Sequence, residues 1–310
     1  MAKGSTRAVV AALVANMIIA VAKFIAAGVT GSSAMLSEGI HSVADSGNQA
    51  LLLFGNRRSH RPPDALHPFG YGPEMYFWSL IVAMILFGLG GGFSIYEGIA
   101  HLGHDEVPGD PTWSYSVLGV AFVVEAFALM VALRALKSTG LQGRLVERLR
   151  ASADPRIFVP IAEDAAALLG VVVAFLGIFL ARALNLPILD GISSIVIGGI
   201  LAAVAVFLAW ETRALLVGET VGPRLLESVR NVCSEQPEVA ALIRTRGVHL
   251  GPDEVLLALD VRFRPDLDGD GVARAVDSLE AALRAAEPKL ARILVEPDAD
   301  PTASYRGPRS

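Results

Sequence analysis

Residues 37–49 read SEGIHSVADSGNQ, a polar stretch set between apolar runs. Glu38, His41, Asp45 and Asn48 are separated by three, four and three positions, which lines them along one stripe of a helix. Each ionisable group placed in a bilayer costs about 2.5–3.5 kcal/mol even on the insertion scale. Three on one stripe cannot face lipid. They require the interior of a bundle or a wet cavity, and they require partners.

The surrounding sequence supplies a bundle. Hydrophobic residues make up 53% of the 310 positions, and they fill roughly the first two thirds; mean hydropathy is +0.52. A spanning helix needs about 20 mostly apolar residues. Six segments meet that need, at about 8–29, 33–55, 75–100, 113–136, 157–182 and 187–210. The second is the least apolar and holds the opening stretch. The mixed, charged remainder predicts a six-helix membrane domain over 1–211, an α+β domain over 212–300 and a disordered tail over 301–310. In span three, Gly88 and Gly92 are four apart, a spacing that lets helices pack closely.

Basic residues orient the bundle. The 2–3 loop carries Arg57, Arg58 and Arg61, and the 4–5 loop carries Arg134, Lys137, Arg144, Arg148, Arg150 and Arg156. The 3–4 loop holds only His101, His104, Asp105, Glu106 and Asp110 as chargeable residues, and the 5–6 link only Arg182. Both termini are expected in the cytoplasm, with the cell membrane as the location. The basic start, Met1 to Arg7, runs into a full-length span without an A-x-A context, so no cleavable leader is expected. A single cysteine, Cys233, excludes an intramolecular disulfide and a cysteine-cluster metal site. The net charge of −5 gives no reason to expect nucleic acid as a partner.

The C-terminal part reads helix, strand, strand, helix, strand. PRLLESVRNVCSEQ (223–236) is amphipathic, EVLLALDVRFRP (254–265) alternates with period two, and GVARAVDSLEAALRAAEP (271–288) is a helix expected to be capped by Asp270. DLDGDGVARAVD (266–277) matches the start of a calcium loop through Asp266, Asp268, Asp270, Gly271 and Asp277, but a strand precedes it; the competing reading is a polar turn ending in a helix cap. His249 ends a strand and reads as surface, packing or ligand.

Partners for the polar stripe come from other spans: Asn16 and Lys23 in span one, Glu125 in span four, Glu163 and Asp164 in span five. Entering near Ser33, span two carries His41 and Asp45 to a depth of ~12–18 Å at 1.5 Å per residue. Entering from the opposite side, span five carries Asp164 to ~11–15 Å. In a core of ~30 Å these depths meet near the midplane. One imidazole and several carboxylates suit zinc, iron, manganese or cobalt, and four-coordinate N/O sites suit zinc in particular. The competing reading is an internal ion-pair network in which Lys23 and Asn16 neutralise the acids.

SEGIHSVADSGNQALLLFG, DALHPFGYG and AEDAAALLG, followed by an α+β tail, together resemble the cation diffusion facilitator family of metal/proton antiporters. The resemblance covers nearly the whole chain and implies six spans, a ferredoxin-like cytosolic domain and homodimerisation through it. It also implies a transport site on His41 and Asp45 in span two and Asp164 in span five. The family's remaining histidine position is Pro160 here, which has no side-chain donor. Glu163 and Glu38 are weaker candidates for the fourth ligand, with Asn48 and water; Asn16, Asn48 and Glu125 are supporting polar groups. Glu163 lies ~100° around the helix from Asp164, so shared coordination requires local distortion. A second metal position known in some members would fall on Asp64 and His67, with Tyr71 in place of a histidine.

The function implied is export of a transition metal from the cytoplasm in exchange for protons carried by His41 and Asp45, with no permanently bound cofactor. Zinc leads, and manganese, iron or cobalt follow. The rival readings are a non-transporting scaffold or metal-responsive regulator, and an intramembrane enzyme, which lacks any G-x-S-x-G or H-E-x-x-H support.

Overall fold

Six long helical rods account for the N-terminal two thirds among the residues that the computed structural model describes, which are 3–103, 110–141 and 143–298, with side chains from Asn16 onward. His104, Asp105 and Glu106, and the 301–310 tail, lie outside the described residues. The rods are α1 (Lys3–Thr30), α2 (Ser33–Ser59), α3 (Glu74–Ile85) continued through a π-helical segment (Leu86–Gly92) into α4 (Phe93–His101), α5 (Thr112–Ser138), α7 (Pro155–Ala183) and α8 (Ile188–Val217). A short amphipathic α6 (Leu145–Ser152) precedes α7. Glu74–His101, Thr112–Ser138, Pro155–Ala183 and Ile188–Val217 are each long and apolar enough to cross a membrane, and Asn16–Thr30 is an apolar part of α1. At 27 residues α2 has the length, but its composition is too polar to qualify alone. It is instead surrounded, packing on α1, α3, α4 and α7, and its polar stripe is buried.

The chain divides into two units, Met1–His60 with Glu74–Arg213, and Arg61–Pro73 with Ala214–Ser310. Within the first, the start of α2 is tied to α8. Asp190, 1% exposed, accepts from the Ser32 hydroxyl at 2.7 Å and from the Ser33 backbone N–H at 2.6 Å. A carboxylate is favoured there because the first amides of a helix lack intrahelical partners and present the positive end of its dipole. Ser33 and Ser37 add hydroxyl bonds to Ser194.

The close helix contact in span three differs from the expected one. Gly88 has nothing within 4 Å of where a Cβ would stand. The contact falls on Gly91 and Gly98 against Gly198 and Gly191 of α8: a Cβ on Gly98 would stand 2.6 Å from the Gly191 carbonyl oxygen, and one on Gly198 2.7 Å from that of Gly91. The π-helical segment explains the shift, since each π turn holds an extra residue and rotates the rest of the helix about its axis.

The second unit holds α9 (Pro223–Glu235), β1 (Val239–Gly251), β2 (Glu254–Phe263), α10 (Gly269–Ala286) and β3 (Leu290–Pro297). The sheet order is β1-β2-β3, with β1 antiparallel and β3 parallel to β2. Alternate β2 residues Val255, Leu257, Leu259, Val261 and Phe263 are buried beneath Val229 and Cys233 of α9 and Leu279 and Leu283 of α10. This is the α+β tail that the alternating pattern predicted. Burial pushes the Cys233 thiol up to about 11, so it stays protonated at neutral pH. The α10 cap is Asp268, which accepts from the Gly271 N–H at 2.7 Å, and not Asp270, because the helix begins at Gly269.

Gly98→Val is expected to destabilise the bundle by about 1–3 kcal/mol through overpacking, lowering its unfolding midpoint in detergent, whereas Gly88→Ala should leave the midpoint unchanged. Equal effects of the two would contradict the observed seam.

Candidate metal centre

The polar stripe of α2 separates into three local environments. Nearest the Ser33 end, Glu38 is 0% exposed and bound by Lys23, whose ammonium donates to Glu38 Oε2 at 2.9 Å and to Ser42 Oγ at 2.8 Å. The other oxygen, Oε1, has no hydrogen-bond partner among the described residues and packs against Gly170 of α7, where a Cβ would occupy its place. Lys23 is itself fully buried. Of the two readings open for Glu38, the structure favours the counter-ion over the ligand. An ammonium buried in a bundle demands a full negative partner at hydrogen-bonding distance.

One turn on, His41 is 2% exposed and, among the described residues, neither ring nitrogen has a hydrogen-bond partner. It lines a narrow crevice with Asn16, Ile19, Ser42, Asp45 and Glu125. A buried imidazole normally engages at least one nitrogen; this one keeps both lone-pair and N–H capacity free beside carboxylates. Asp45 accepts from Gln49 Nε2 at 3.1 Å and Asn16 Nδ2 at 3.4 Å.

Deepest along α2, Asn48 Nδ2 donates to Glu163 Oε1 at 2.7 Å, which joins α2 to α7. Glu163 also lies near Asp45. Asp164 is buried beside it and is close enough to Asp45 and Glu125 to interact electrostatically with both. Pro160 lies inside α7, one turn earlier, and offers no N–H to the carbonyl of Arg156. Both Glu163 and Asp164 are buried, so the acid pair is turned into the bundle despite its ~100° separation.

His41, Asp45, Glu163, Asp164, Asn48 and Glu125 are thus all buried in the bundle, with half-buried Asn16 at the edge of the crevice. They do not close around a single point: among the described residues no group of three His, Cys, Asp or Glu side chains is placed to hold an ion. Each carboxylate is engaged by its own side-chain amides, Asp45 by Gln49 and Asn16 and Glu163 by Asn48. Gln49 was missed from the sequence, although its i,i+4 spacing from Asp45 is a readable signal.

Away from the bundle, the other candidate ligands are otherwise engaged. Asp64 accepts from the Tyr71 hydroxyl at 2.6 Å and from the N–H groups of His67 at 2.8 Å and Leu66 at 3.0 Å. The His67 ring lies against Tyr71 at 4.2 Å, and the Arg61 guanidinium sits 4.9 Å from the Tyr71 ring centre. Tyrosine in the histidine position therefore makes a hydrogen-bonded loop rather than a ligand set. Within the same unit, Gly72 packs directly on the Leu250 carbonyl. Asp266 is held by Arg264 at 2.7 and 2.9 Å and Asp268 caps α10, so the calcium-like loop resolves as a capped turn. His249 is half-buried, and burial followed by the nearby Lys289 pushes its imidazole down, keeping it neutral.

Residues 9–217 match the cation efflux transmembrane domain. The chain is similar to metal tolerance protein C4 of Arabidopsis thaliana, 34% identical over 269 residues, 86% of this chain and 58% of that protein. It is also similar to the human mitochondrial proton-coupled zinc antiporter SLC30A9, 31% identical over 271 residues, 87% of this chain and 47% of that one. Magnetosome protein MamB of Magnetospirillum gryphiswaldense is 26% identical over 272 residues, covering 86% of this chain and 85% of that protein. The chain spans about half the length of the first two relatives.

Lys23→Met should strand Glu38 and cost about 3–5 kcal/mol. Lys23→Met with Glu38→Gln should recover most of that loss in thermal melts, and a double variant no better than the single one would deny the pair its role. In the loop, Tyr71 chiefly holds the Asp64 carboxyl down from 3.8 to about 2. A depressed carboxylate stabilises the loop fully above its unfolded value and loses that contribution as pH falls through about 2. Tyr71→Phe should move the titration up toward 3.8, read by NMR of the carboxyl carbon.

Proposed function

Because the chain belongs to the cation diffusion facilitator family, the cation efflux proteins, we propose that it carries a divalent transition-metal cation across a membrane. The observation that carries this reading is His41, buried in a helix bundle with both ring nitrogens unpartnered, beside Asp45 and within the same region as Glu163 and Asp164. A buried network kept for stability alone would satisfy its imidazole, as it satisfies Lys23. An N/O donor set without sulfur fits zinc first, then manganese, iron or cobalt. The relative named as a zinc antiporter supports zinc.

The cation is proposed to move outward from the cytoplasm in exchange for protons. Ligands must lose protons to bind metal, so binding and proton release are linked. In this reading, one carboxyl group of the Asp45, Glu163 and Asp164 cluster carries a proton when no metal is bound. Metal capture draws Asp45 and Asp164 toward His41 and releases the protons held on His41 and a carboxylate, and the same groups take protons up again when the ion leaves. Asn48 and Gln49 orient the carboxylates, and Lys23 neutralises Glu38. Glu163 is the preferred fourth group, since Glu38 is already engaged. The α+β unit is proposed to join two copies into a homodimer, and the cell membrane is the proposed location.

One observation favours a second reading. The donors do not converge among the described residues, and Pro160 stands where the family's histidine is expected. A scaffold or metal-responsive regulator with a vestigial site would share both features and bind metal without flux.

In proteoliposomes reporting both internal zinc and pH, the native chain should show zinc-dependent proton movement. His41→Ala, Asp45→Ala and Asp164→Ala should each abolish it, and Glu163→Gln should slow it by about 10–100-fold, the range found for groups that support metal ligands. Normal flux in Asp164→Ala would sink the site assignment, and zinc binding without flux in the native chain would favour the scaffold.

A further inference from the structure

The outer side of α5 carries a feature that crossing a membrane does not require. Ala126, Met130, Leu133, Arg134 and Lys137 recur at three- and four-residue spacing, so they form one stripe of the helix. Leu168 of α7 lies beside the stripe, and together they line a groove of about 330 Å³ open to the surroundings of the bundle. Its floor is apolar. Both cations stand at one end, in the last turns of α5, and both are exposed. Among the described residues neither has an acidic partner, whereas Arg150 and Arg156 nearby in the chain pair with Glu211 and Asp154.

The dimensions of the groove match a lipid. From Ala126 to Lys137 is a rise of ~16 Å at 1.5 Å per residue, and one leaflet contributes about half of a ~30 Å hydrocarbon core. The groove therefore spans about one leaflet, its apolar section from Ala126 to Leu133 covering ~10 Å of an acyl chain and the cations falling at the level of the phosphates. The charge distribution of the loops puts that end at the cytoplasmic face. A single basic residue at a helix end only snorkels to the interface. Two on one stripe, unpaired and continuous with an apolar groove, present a site for a phosphodiester attached to hydrocarbon.

We propose that this groove seats an anionic phospholipid of the cytoplasmic leaflet, with its phosphate between Arg134 and Lys137 and one acyl chain along Ala126, Met130 and Leu133 against Leu168. Charge complementarity selects an anionic lipid over a zwitterionic one, because two unpaired cations face a headgroup that must supply net negative charge. The seat lies along α5 and α7, and α7 also carries Glu163 and Asp164, so the lipid touches a helix that holds half of the polar centre.

The test is native mass spectrometry of the full chain, purified from bilayers of equal dioleoyl-phosphatidylglycerol and dioleoyl-phosphatidylcholine. The native chain should retain phosphatidylglycerol in excess. Arg134→Gln with Lys137→Gln should reduce that excess by about 10–30-fold at low salt, the effect of two surface cations. Ala126→Trp fills the groove and leaves both charges, and should also displace the retained lipid, with unchanged thermal melting showing that the fold is intact. Soluble glycerophosphoglycerol should not compete, since it lacks the acyl chain. Loss in the charge variant alone would mean surface attraction without a seat. Effective competition by the soluble headgroup would mean a phosphate site without a lipid. Loss only together with dissociation of an oligomer would make the groove an interface between copies. Each of these three results, like equal retention of both lipids by the native chain, overturns the proposal.

Discussion

The bundle is organised by the need to keep α2 out of contact with lipid. Glu38, His41, Asp45 and Asn48 would each be expensive against hydrocarbon, so the helix that bears them is placed in the middle and enclosed by α1, α3, α4 and α7. The apolar surface needed outside is supplied by the other rods, whose large side chains are widely exposed, as Phe87, Val123, Phe127 and Val206 are. An inside-out distribution of this kind is stable only where the solvent is itself apolar.

Within that enclosure the polar groups are treated in two ways. Some are neutralised locally and completely enough to serve as structure: Lys23 with Glu38, and Asp190 with the start of α2. Others are held by neutral amides that exchange easily, as Asp45 is by Gln49 and Asn16, or are left without partners, as His41 is. The difference matters chemically. A full ion pair resists replacement, while an amide donor yields to a stronger electrophile.

Much of this was legible in the sequence, and the rest was not for identifiable reasons. The stripe on α2, the six rods and the αββαβ tail all follow from periodicity, which is a local property. That His41, Asp45 and Asp164 lie at similar depth could be anticipated, because a bilayer fixes each helix along one axis. What depth cannot give is which acid meets which base. The pairing of Glu38 with Lys23 depends on how α1 and α2 turn toward each other, and the Asp190 cap joins residues 157 positions apart. The glycine seam was displaced because a π turn breaks the 3.6-residue period on which the Gly88–Gly92 reading rested. Asp268 rather than Asp270 caps α10 because the chain turns two residues earlier than the glycines suggest.

The Asp190 cap has a mechanical consequence. A rod fastened at one end moves least there and most at the other. With the Ser33 end of α2 anchored to α8, a tilt of about ten degrees would displace the helix at His41 by ~2 Å and at Arg58 by ~6 Å, given 1.5 Å per residue. The fastening acts as a fulcrum. A modest swing would move the Arg58 end most, Asp45 and Asn48 by ~3–4 Å, and Glu38 and His41 by only ~1–2 Å.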